Sequence, residues 1–93
     1  MELKGKIVEI FETEQIKENF SKRIFIVEYL DNPKYPELIK FELNNVKCAV
    51  IDKFDIGDDV TVGFNLRGKK YTNQQGLVQY FTTIQAWSIS NNK

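Results

Sequence analysis

The last third of the chain carries a compact cluster of positive charge. Arg67, Lys69 and Lys70 lie within four positions, and Tyr71 follows them directly. Binding of single-stranded nucleic acids requires cations that contact phosphates and aromatic rings on which bases stack, at about 1–3 kcal/mol per base. These four residues have the side chains for such binding. The alternative is a solvated hairpin tip whose lysines only prevent edge-to-edge aggregation.

The neutral net charge of the chain hides an asymmetry. Its 13 basic and 13 acidic side chains cancel, unlike the basic profile of many nucleic-acid-binding proteins. All 13 acidic residues lie between Glu2 and Asp59, where nine lysines and arginines leave a net charge of −4. From Val60 to Lys93 there are four basic and no acidic side chains. This distribution indicates a polyanionic or acidic partner for the C-terminal third.

Three further basic residues could extend this cluster of positive charge across the neighbouring strands. Lys22 and Arg23 belong to a predicted second strand and Lys40 to a predicted third strand, so all three are candidate phosphate contacts. Two acidic residues, Glu28 and Glu42, interrupt the series. The parity of the second strand leaves open whether Arg23 points outward or shares the face of the apolar residues.

Most of the aromatic side chains are expected in the core of so small a chain. Those predicted there lie at apolar positions of the strands and the helix: Phe11, Phe25, Phe41, Phe54 and Phe64. Phe81 and Trp87 fall on the parity opposite to Ile84 and Ala86, where they would form an exposed aromatic pair for base stacking or a subunit interface. A β-bulge near Ala86 would bury Trp87 instead.

The composition excludes several kinds of catalytic and metal site. The chain has no histidine, and Cys48 is its only cysteine, so neither a Cys/His zinc site nor an internal disulfide can form. Asp55, Asp58 and Asp59 lie in a turn, where carboxylates more often cap backbone amides than bind metal. No glycine-rich nucleotide-binding motif is present. We therefore predict a binding protein without enzymatic activity, cofactor or metal.

Chain length and hydropathy predict one folded unit. Ninety-three residues with 42% hydrophobic and 28% charged side chains are enough for a single core and unlike a disordered segment. We assign residues 1–89 to one domain and residues 90–93 to a short polar C-terminal tail. The N-terminus lacks a secretory apolar region and no apolar run approaches about 18 residues, so we expect no membrane association and a cytoplasmic location.

Five strand patterns and one helix pattern position these candidates. Alternating apolar residues predict strands at residues 3–12, 20–30, 38–43, 60–67 and 77–89. Residues 13–19 are predicted as a connection, residues 31–34 as a turn and residues 67–76 as a polar hairpin loop. After the third strand, Asn44 or Asn45 would cap a helix of about nine residues. Its apolar residues recur every three or four positions: Val46, Ala49, Val50 and Phe54.

The order β-β-β-α-β-β is that of the OB-fold. We predict an all-β protein with a small α component, a five-stranded Greek-key barrel with one short helix between the third and fourth strands. In this fold the surface of the second and third strands, together with the loops of the first and last hairpins, binds oligonucleotides or oligosaccharides. The candidate cations and aromatic residues lie on those elements or beside them.

Several segments also resemble a known family. They are Leu3-Lys-Gly-Lys-Ile-Val, Phe25-Ile-Val-Glu, Ile39-Lys-Phe-Glu, Asp55-Ile-Gly-Asp-Asp-Val-Thr-Val and Ala86-Trp87. These residues are similar to a bacterial and phage family of small proteins, a domain of unknown function whose members resemble OB-fold single-stranded DNA-binding proteins. The resemblance spans nearly the whole chain and implies DNA in preference to RNA as the ligand.

Two hypotheses of function follow. The first is a non-enzymatic OB-fold that binds single-stranded DNA or RNA through nine candidate residues: Lys22, Arg23, Lys40, Arg67, Lys69, Lys70, Tyr71, Phe81 and Trp87. The second is a protein-interaction or oligomerisation module without nucleic-acid affinity, which the neutral net charge favours. A homo-oligomer, dimeric or larger, is compatible with both, because small OB-folds can gain a continuous groove by dimerising.

Overall fold

The computed structural model describes residues 1–29 and 34–91. In chain order it contains strands β1 (Glu2–Ile10), β2 (Glu14–Lys17), β3 (Phe20–Tyr29) and β4 (Glu37–Asn44), a 3-10 helix (Asn45–Lys53), and strands β5 (Asp59–Thr72) and β6 (Val78–Asn91). All five predicted strands are present. In this part of the chain, no helix has the length and apolar character needed to cross a membrane.

The strands close into a barrel. β1 pairs with both β3 and β5, β5 pairs with β6, β6 with β4, and β4 with β3. All of these pairings are antiparallel except that of β4 with β6, which is parallel. β1 pairs with two neighbouring strands. Its register shifts between Ile7 and Glu9, and such a bulge bends a strand, which lets β1 reach both neighbours. The closure and strand order are those of the predicted five-stranded OB-fold, which is confirmed.

The barrel interior is filled by alternate residues of the strands. Phe25 and Phe41 pair directly across β3 and β4, and their rings stack with centroids 5.3 Å apart. Phe64 packs against Phe41 at 5.6 Å in a tilted geometry, and such ring pairs stabilise a core by about 0.5–1.5 kcal/mol beyond their burial. Because strand residues alternate between faces, the neighbours of these phenylalanines on β3 and β4 point away from the core.

The first hairpin departs from the sequence-based prediction. Residues 13–19 are not a simple connection, since they contain β2, in which Glu14 pairs with Lys22 of β3. Phe11 is not a core residue, because β1 ends at Ile10 and the Phe11 side chain is 45% exposed. The predicted turn at residues 31–34 lies, for residues 31–33, outside the described residues.

The helix has a different period from the predicted one. Its buried residues are Cys48 and Ile51, three positions apart, as the three residues per turn of a 3-10 helix require. The predicted spacing of apolar residues from Val46 onward therefore does not mark the buried face, and Val46 and Ala49 are both exposed. Phe54, just after the helix, does pack against the core as predicted.

Asn44, one of the two predicted caps, occupies the N-cap position of the helix. The side chain of Asn44 makes no capping hydrogen bond, because it bonds to Glu42 and Gln85 on the outer surface of the barrel. Asn45 adopts a φ of 53°, in the left-handed region that Asn tolerates better than most residues. Its Oδ1 accepts a hydrogen bond from the backbone N–H of Ser21, so it connects the helix to β3.

β5 and β6 extend beyond the barrel as a two-stranded ribbon. The prediction of a loop at residues 67–76 is wrong, since β5 continues to Thr72 and β6 begins at Val78. Only residues 73–77 turn, around Asn73, whose Oδ1 accepts hydrogen bonds of 2.9 Å from the backbone N–H groups of Gln75 and Leu77. Within the described ranges, β6 pairs with β4 only between Gln85 and Glu42, so the ribbon near the turn has no other strand beside it.

The end of the chain also belongs to the barrel. Ser90 and Asn91, which the sequence assigns to a tail, pair with Thr61 and Val60 of β5. The rest of the predicted tail, residues 92–93, lies outside the described residues.

Candidate nucleic-acid interface

Cross-strand pairing sorts the side chains of the ribbon into two faces, because residues directly opposite each other in an antiparallel pair lie on the same face. The front of the ribbon consists of the pairs Arg67–Thr83, Lys69–Phe81 and Tyr71–Gln79. The back consists of the pairs Leu66–Ile84, Gly68–Thr82, Lys70–Tyr80 and Thr72–Val78. The back continues into the barrel interior through Ile84, which packs against the core. The front continues onto the outside of the barrel through Gln85.

The front of the ribbon and the outer surface of β3 and β4 form one continuous surface, which we call the open face. Besides the front of the ribbon and Gln85, it consists of Lys22, Ile24, Ile26 and Glu28 on β3 and of Leu38, Lys40, Glu42 and Asn44 on β4. β3 and β4 are the second and third strands of the OB-fold, whose surface is the ligand-binding one in this fold. The open face includes six of the nine predicted site residues: Lys22, Lys40, Arg67, Lys69, Tyr71 and Phe81.

Arg23 is not part of this surface. Its Nε donates a 2.8 Å hydrogen bond to the carbonyl of Phe11, and its Nη1 donates to the carbonyl of Cys48 at 3.3 Å and to Asp52 at 2.7 Å. The side chain is only 17% exposed. Arg23 therefore connects the end of β1 to the helix, and we replace its predicted phosphate contact with this structural role.

Replacing Arg23 with methionine is expected to lower the free energy of unfolding by about 1–2 kcal/mol, because two backbone carbonyls lose their donors. Asp52 is 61% exposed, so Asp52→Asn should cost less than about 1 kcal/mol. Urea denaturation measures both values. If the Arg23→Met protein is as stable as wild type and has lost nucleic-acid affinity instead, Arg23 contacts the ligand and the structural role is wrong.

Lys70 lies on the back of the ribbon. It is directly opposite Tyr80, whereas its neighbour Lys69 is opposite Phe81 on the front. The sequence places both lysines in one cluster, but a strand sends successive side chains to opposite faces. Lys70 is therefore separated from the open face by the thickness of the ribbon.

Trp87 lies on the outside of the barrel but far from Phe81. It is the extra residue of a bulge, since Phe64 pairs with Ala86 and Gly63 pairs with Ser88. The bulge does not bury the indole, which is 47% exposed and lies against Gly63. Six residues of extended strand, about 20 Å, separate Trp87 from Phe81, so the two rings do not form the predicted pair.

A chain of hydrogen bonds crosses the open face from β5 to β4. Arg67 donates from Nε to Gln85 Oε1 at 2.9 Å, and Gln85 donates from Nε2 to Asn44 Oδ1 at 2.7 Å. Asn44 in turn donates from Nδ2 to Glu42 Oε2 at 2.8 Å. The two Nη groups of Arg67 make no hydrogen bond with other described residues, so the guanidinium is held at Nε and can present both Nη groups to a phosphate.

Sequence patterns do not indicate Asn44 or Gln85 as members of this surface. They are 41 positions apart, and only the parallel pairing of β4 with β6 brings them together. Two amide side chains so far apart in the sequence belong to no periodic pattern, so their contact cannot be predicted from the sequence.

An apolar groove lies at the β3 side of the open face, away from the ribbon. Phe11, Ile24 and Ile26 form its apolar part, and Lys22 and Lys40 also line it. Its volume is about 250 Å³. Two acidic residues also line it, Glu12 and Glu14. Phe11 thus supplies an exposed ring, although its position in the sequence predicts a core residue.

The aspartates before β5 form a backbone cap. Asp58 accepts a 2.9 Å hydrogen bond from the backbone N–H of Asp55 through Oδ2, as expected for a turn carboxylate. Across residues 1–29 and 34–91, His, Cys, Asp and Glu side chains do not form a group of three or more that could hold a metal ion.

The closed barrel and its open face define an OB-fold domain with a polar and aromatic outer surface. The chain belongs to the DUF3127 family, a domain of unknown function, whose model matches residues 2–90. Its structure is similar to the dimeric N-terminal domain of the PriB protein from Thermoanaerobacter tencongensis, with 19% sequence identity and a TM-score of 0.66. That similarity covers 100% of this chain and 94% of the PriB domain and shows a shared fold. No curated protein matches this sequence.

Proposed function

We propose that this protein binds single-stranded nucleic acid, in particular DNA, along the open face and catalyses no reaction. The observation that carries the proposal is the front of the ribbon. There Arg67 and Lys69 are exposed next to the exposed rings of Tyr71 and Phe81, and no acidic residue is present in either strand beyond Asp59. This arrangement places two cations and two aromatic rings on one face of the ribbon.

The arrangement favours single strands over duplexes. In a single strand the unpaired bases can rotate onto aromatic rings while the phosphates contact cations on the same surface. Phe81 and Tyr71 serve as base platforms on the same face as Lys69. Phe11 serves as a third platform in the groove that Lys22 and Lys40 also line. A duplex has its bases stacked internally and offers no ring to these platforms.

The test is fluorescence anisotropy of labelled oligo-dT at two salt concentrations with an unlabelled duplex as competitor. Three phosphate contacts, from Arg67, Lys69 and Lys40, give a logarithmic salt slope of about −2 for a single strand. Affinity should therefore fall roughly 20-fold between about 50 and 200 mM salt. Equal competition by the duplex, or no binding at the lower salt concentration, refutes the proposal.

Replacing Phe11 with alanine should weaken oligo-dT binding at least about fivefold, because one stacked base is lost. Ile16→Ala is the matched control, since the Ile16 side chain on β2 has the same exposure of 45%. The control should bind like wild type in the anisotropy titration. Equal effects of the two substitutions would mean that Phe11 does not stack on a base.

A second candidate function is homo-oligomerisation through the back of the ribbon. Leu66, Val78 and Tyr80 are 56%, 47% and 74% exposed there. A two-stranded ribbon is marginally stable in water without a further layer. The structurally similar PriB domain is dimeric. A second copy of this chain packed on the back of the ribbon would cover these side chains and leave the open face free.

Tyr80→Glu should convert a dimer into a monomer, because it removes the most exposed ring on the back of the ribbon and puts in its place a carboxylate that is costly to bury in an interface. Light scattering after size-exclusion chromatography measures the mass. Tyr35, which is 68% exposed and lies outside the ribbon, provides the control Tyr35→Glu, which should leave the mass unchanged. A wild-type protein of monomer mass at about 100 µM rules out this interface, since stable interfaces persist well below that concentration.

A further inference from the structure

A cleft opens between β4 and β6 at the centre of the open face. The two strands pair only at Glu42 and Gln85 and separate toward the start of β4. The cavity between them has a volume of about 270 Å³. Its walls include the apolar side chains of Ile39 and Ile84, and Lys40 and Thr83 contribute polar groups. Glu42 lines the cleft where the strands meet.

The position of Glu42 is unfavourable for a surface that binds only the phosphate groups of a nucleic acid. A carboxylate in the middle of a surface that contacts a polyanion repels it, so its presence there needs another reason. Asn44 Nδ2 holds Oε2 of Glu42 at 2.8 Å, and Oε1 has no partner among the described residues. An ionised carboxylate only accepts hydrogen bonds, and two oxygens fit two adjacent donors.

Resting on the proposed function, we propose that the cleft binds one base of the nucleic acid and selects guanine through Glu42. The Watson–Crick edge of guanine carries two neighbouring donors, N1–H and the 2-amino group, beside the O6 acceptor. Glu42 accepts from both donors. The hydroxyl of Thr83, which also lines the cleft, provides a donor for O6.

The other bases fit this set of groups less well. Thymine presents one N–H between two carbonyl oxygens. Both oxygens would lie beside the carboxylate of Glu42 and be repelled by it. Adenine and cytosine each present one amino group beside a ring nitrogen that is itself an acceptor. A carboxylate therefore pairs with two donors only in guanine, and paired contacts of this kind discriminate between bases by about tenfold or more.

The experiment compares oligo-dT with the same oligonucleotide carrying one central dG, dA, dC or deoxyinosine. Wild type should bind the dG strand about tenfold more tightly than oligo-dT, and deoxyinosine, which lacks the 2-amino group, should lose most of that gain. Glu42→Gln should remove the preference while binding oligo-dT more tightly than wild type, because a negative charge that repels the strand is removed from the open face. A single dG avoids association between guanine-rich strands.

Glu28→Gln is the matched control. Glu28 lies on the open face, on β3 opposite Leu38, but it does not line the cleft. Removing its negative charge should therefore change oligo-dT binding about as much as Glu42→Gln does and leave the guanine preference intact. Wild type that binds all five strands equally overturns the guanine inference and leaves the proposed function standing. A preference that survives in Glu42→Gln also overturns it. A protein that binds none of the strands overturns the proposed function itself.

Discussion

The double substitution Arg67→Glu and Lys69→Glu is expected to reduce affinity for oligo-dT roughly 100-fold at low salt. Both side chains are exposed on the front of the ribbon, where each is assigned one phosphate. Losing two contacts should also reduce the logarithmic salt slope by about 1.4, since each single-strand contact contributes about 0.7. The salt slope distinguishes lost phosphate contacts from a loss of stacking, which is far less sensitive to salt.

A control with the same change in net charge separates local contacts from general repulsion. Lys47→Glu together with Lys53→Glu places the same four units of negative charge change on the helix, where both lysines are exposed. We expect this protein to bind within about threefold of wild type at 150 mM salt, because charges farther than about 8 Å from the ligand are screened. Equal losses in the two double variants would contradict the assignment of the front of the ribbon.

Lys69 and Lys70 provide a sharper comparison within the same cluster. Lys69→Ala should reduce the salt slope by about 0.7, and Lys70→Ala should leave it nearly unchanged, because Lys70 lies on the back of the ribbon. Both variants keep the strands paired, so their melting temperatures should match. Equal slopes for the two variants would mean that the ligand wraps both faces.

Gly5→Ala is expected to destabilise the barrel by about 3 kcal/mol, the upper end of the usual cost of overpacking. Gly5 lies where β1 passes between β5 and β3. A Cβ added there would collide with the backbone carbonyl oxygen of Glu28 and lie 2.5 Å from Cγ1 of Val27. The carbonyl belongs to a paired strand and cannot rotate away, so β1 itself must shift. For a domain of this size the melting temperature should fall by roughly 15 °C.

Gly68→Ala is the control for the loss of a glycine from a strand. A Cβ at Gly68 meets no atom within 4 Å, and the residue lies in the ribbon. Its melting temperature should stay within a few degrees of wild type, since alanine and glycine differ in strands by under about 1 kcal/mol. A thermal melt of the two variants is sufficient. A Gly5→Ala protein as stable as the control would show that β1 and β3 are not packed this closely.

Periodicity in the sequence was enough to predict the barrel. The alternation around Phe41 and around Val62 marks strands with one buried face, and the helix pattern after the third strand identifies the OB-fold order. The distribution of charged residues along the chain was enough to place an excess of positive charge in its last third. These features are local, because each depends on residues a few positions apart. Local patterns survive in any tertiary arrangement that buries one face of a strand.

The character of the candidate site came from the tertiary structure. The register between β5 and β6 decides whether Lys69 or Lys70 lies on the open face. The guanidinium of Arg23 is held by hydrogen bonds to the carbonyl groups of Phe11 and Cys48, so it does not reach this face. The contact of Asn44 with Gln85 and the cleft beside Glu42 depend on a parallel pairing of strands that are 43 residues apart. Packing of the closed barrel sets these long-range registers, and no repeat along the chain encodes them. The sequence by itself therefore determined which elements form and where the charge lies. Only the folded barrel decided which side chains share a surface.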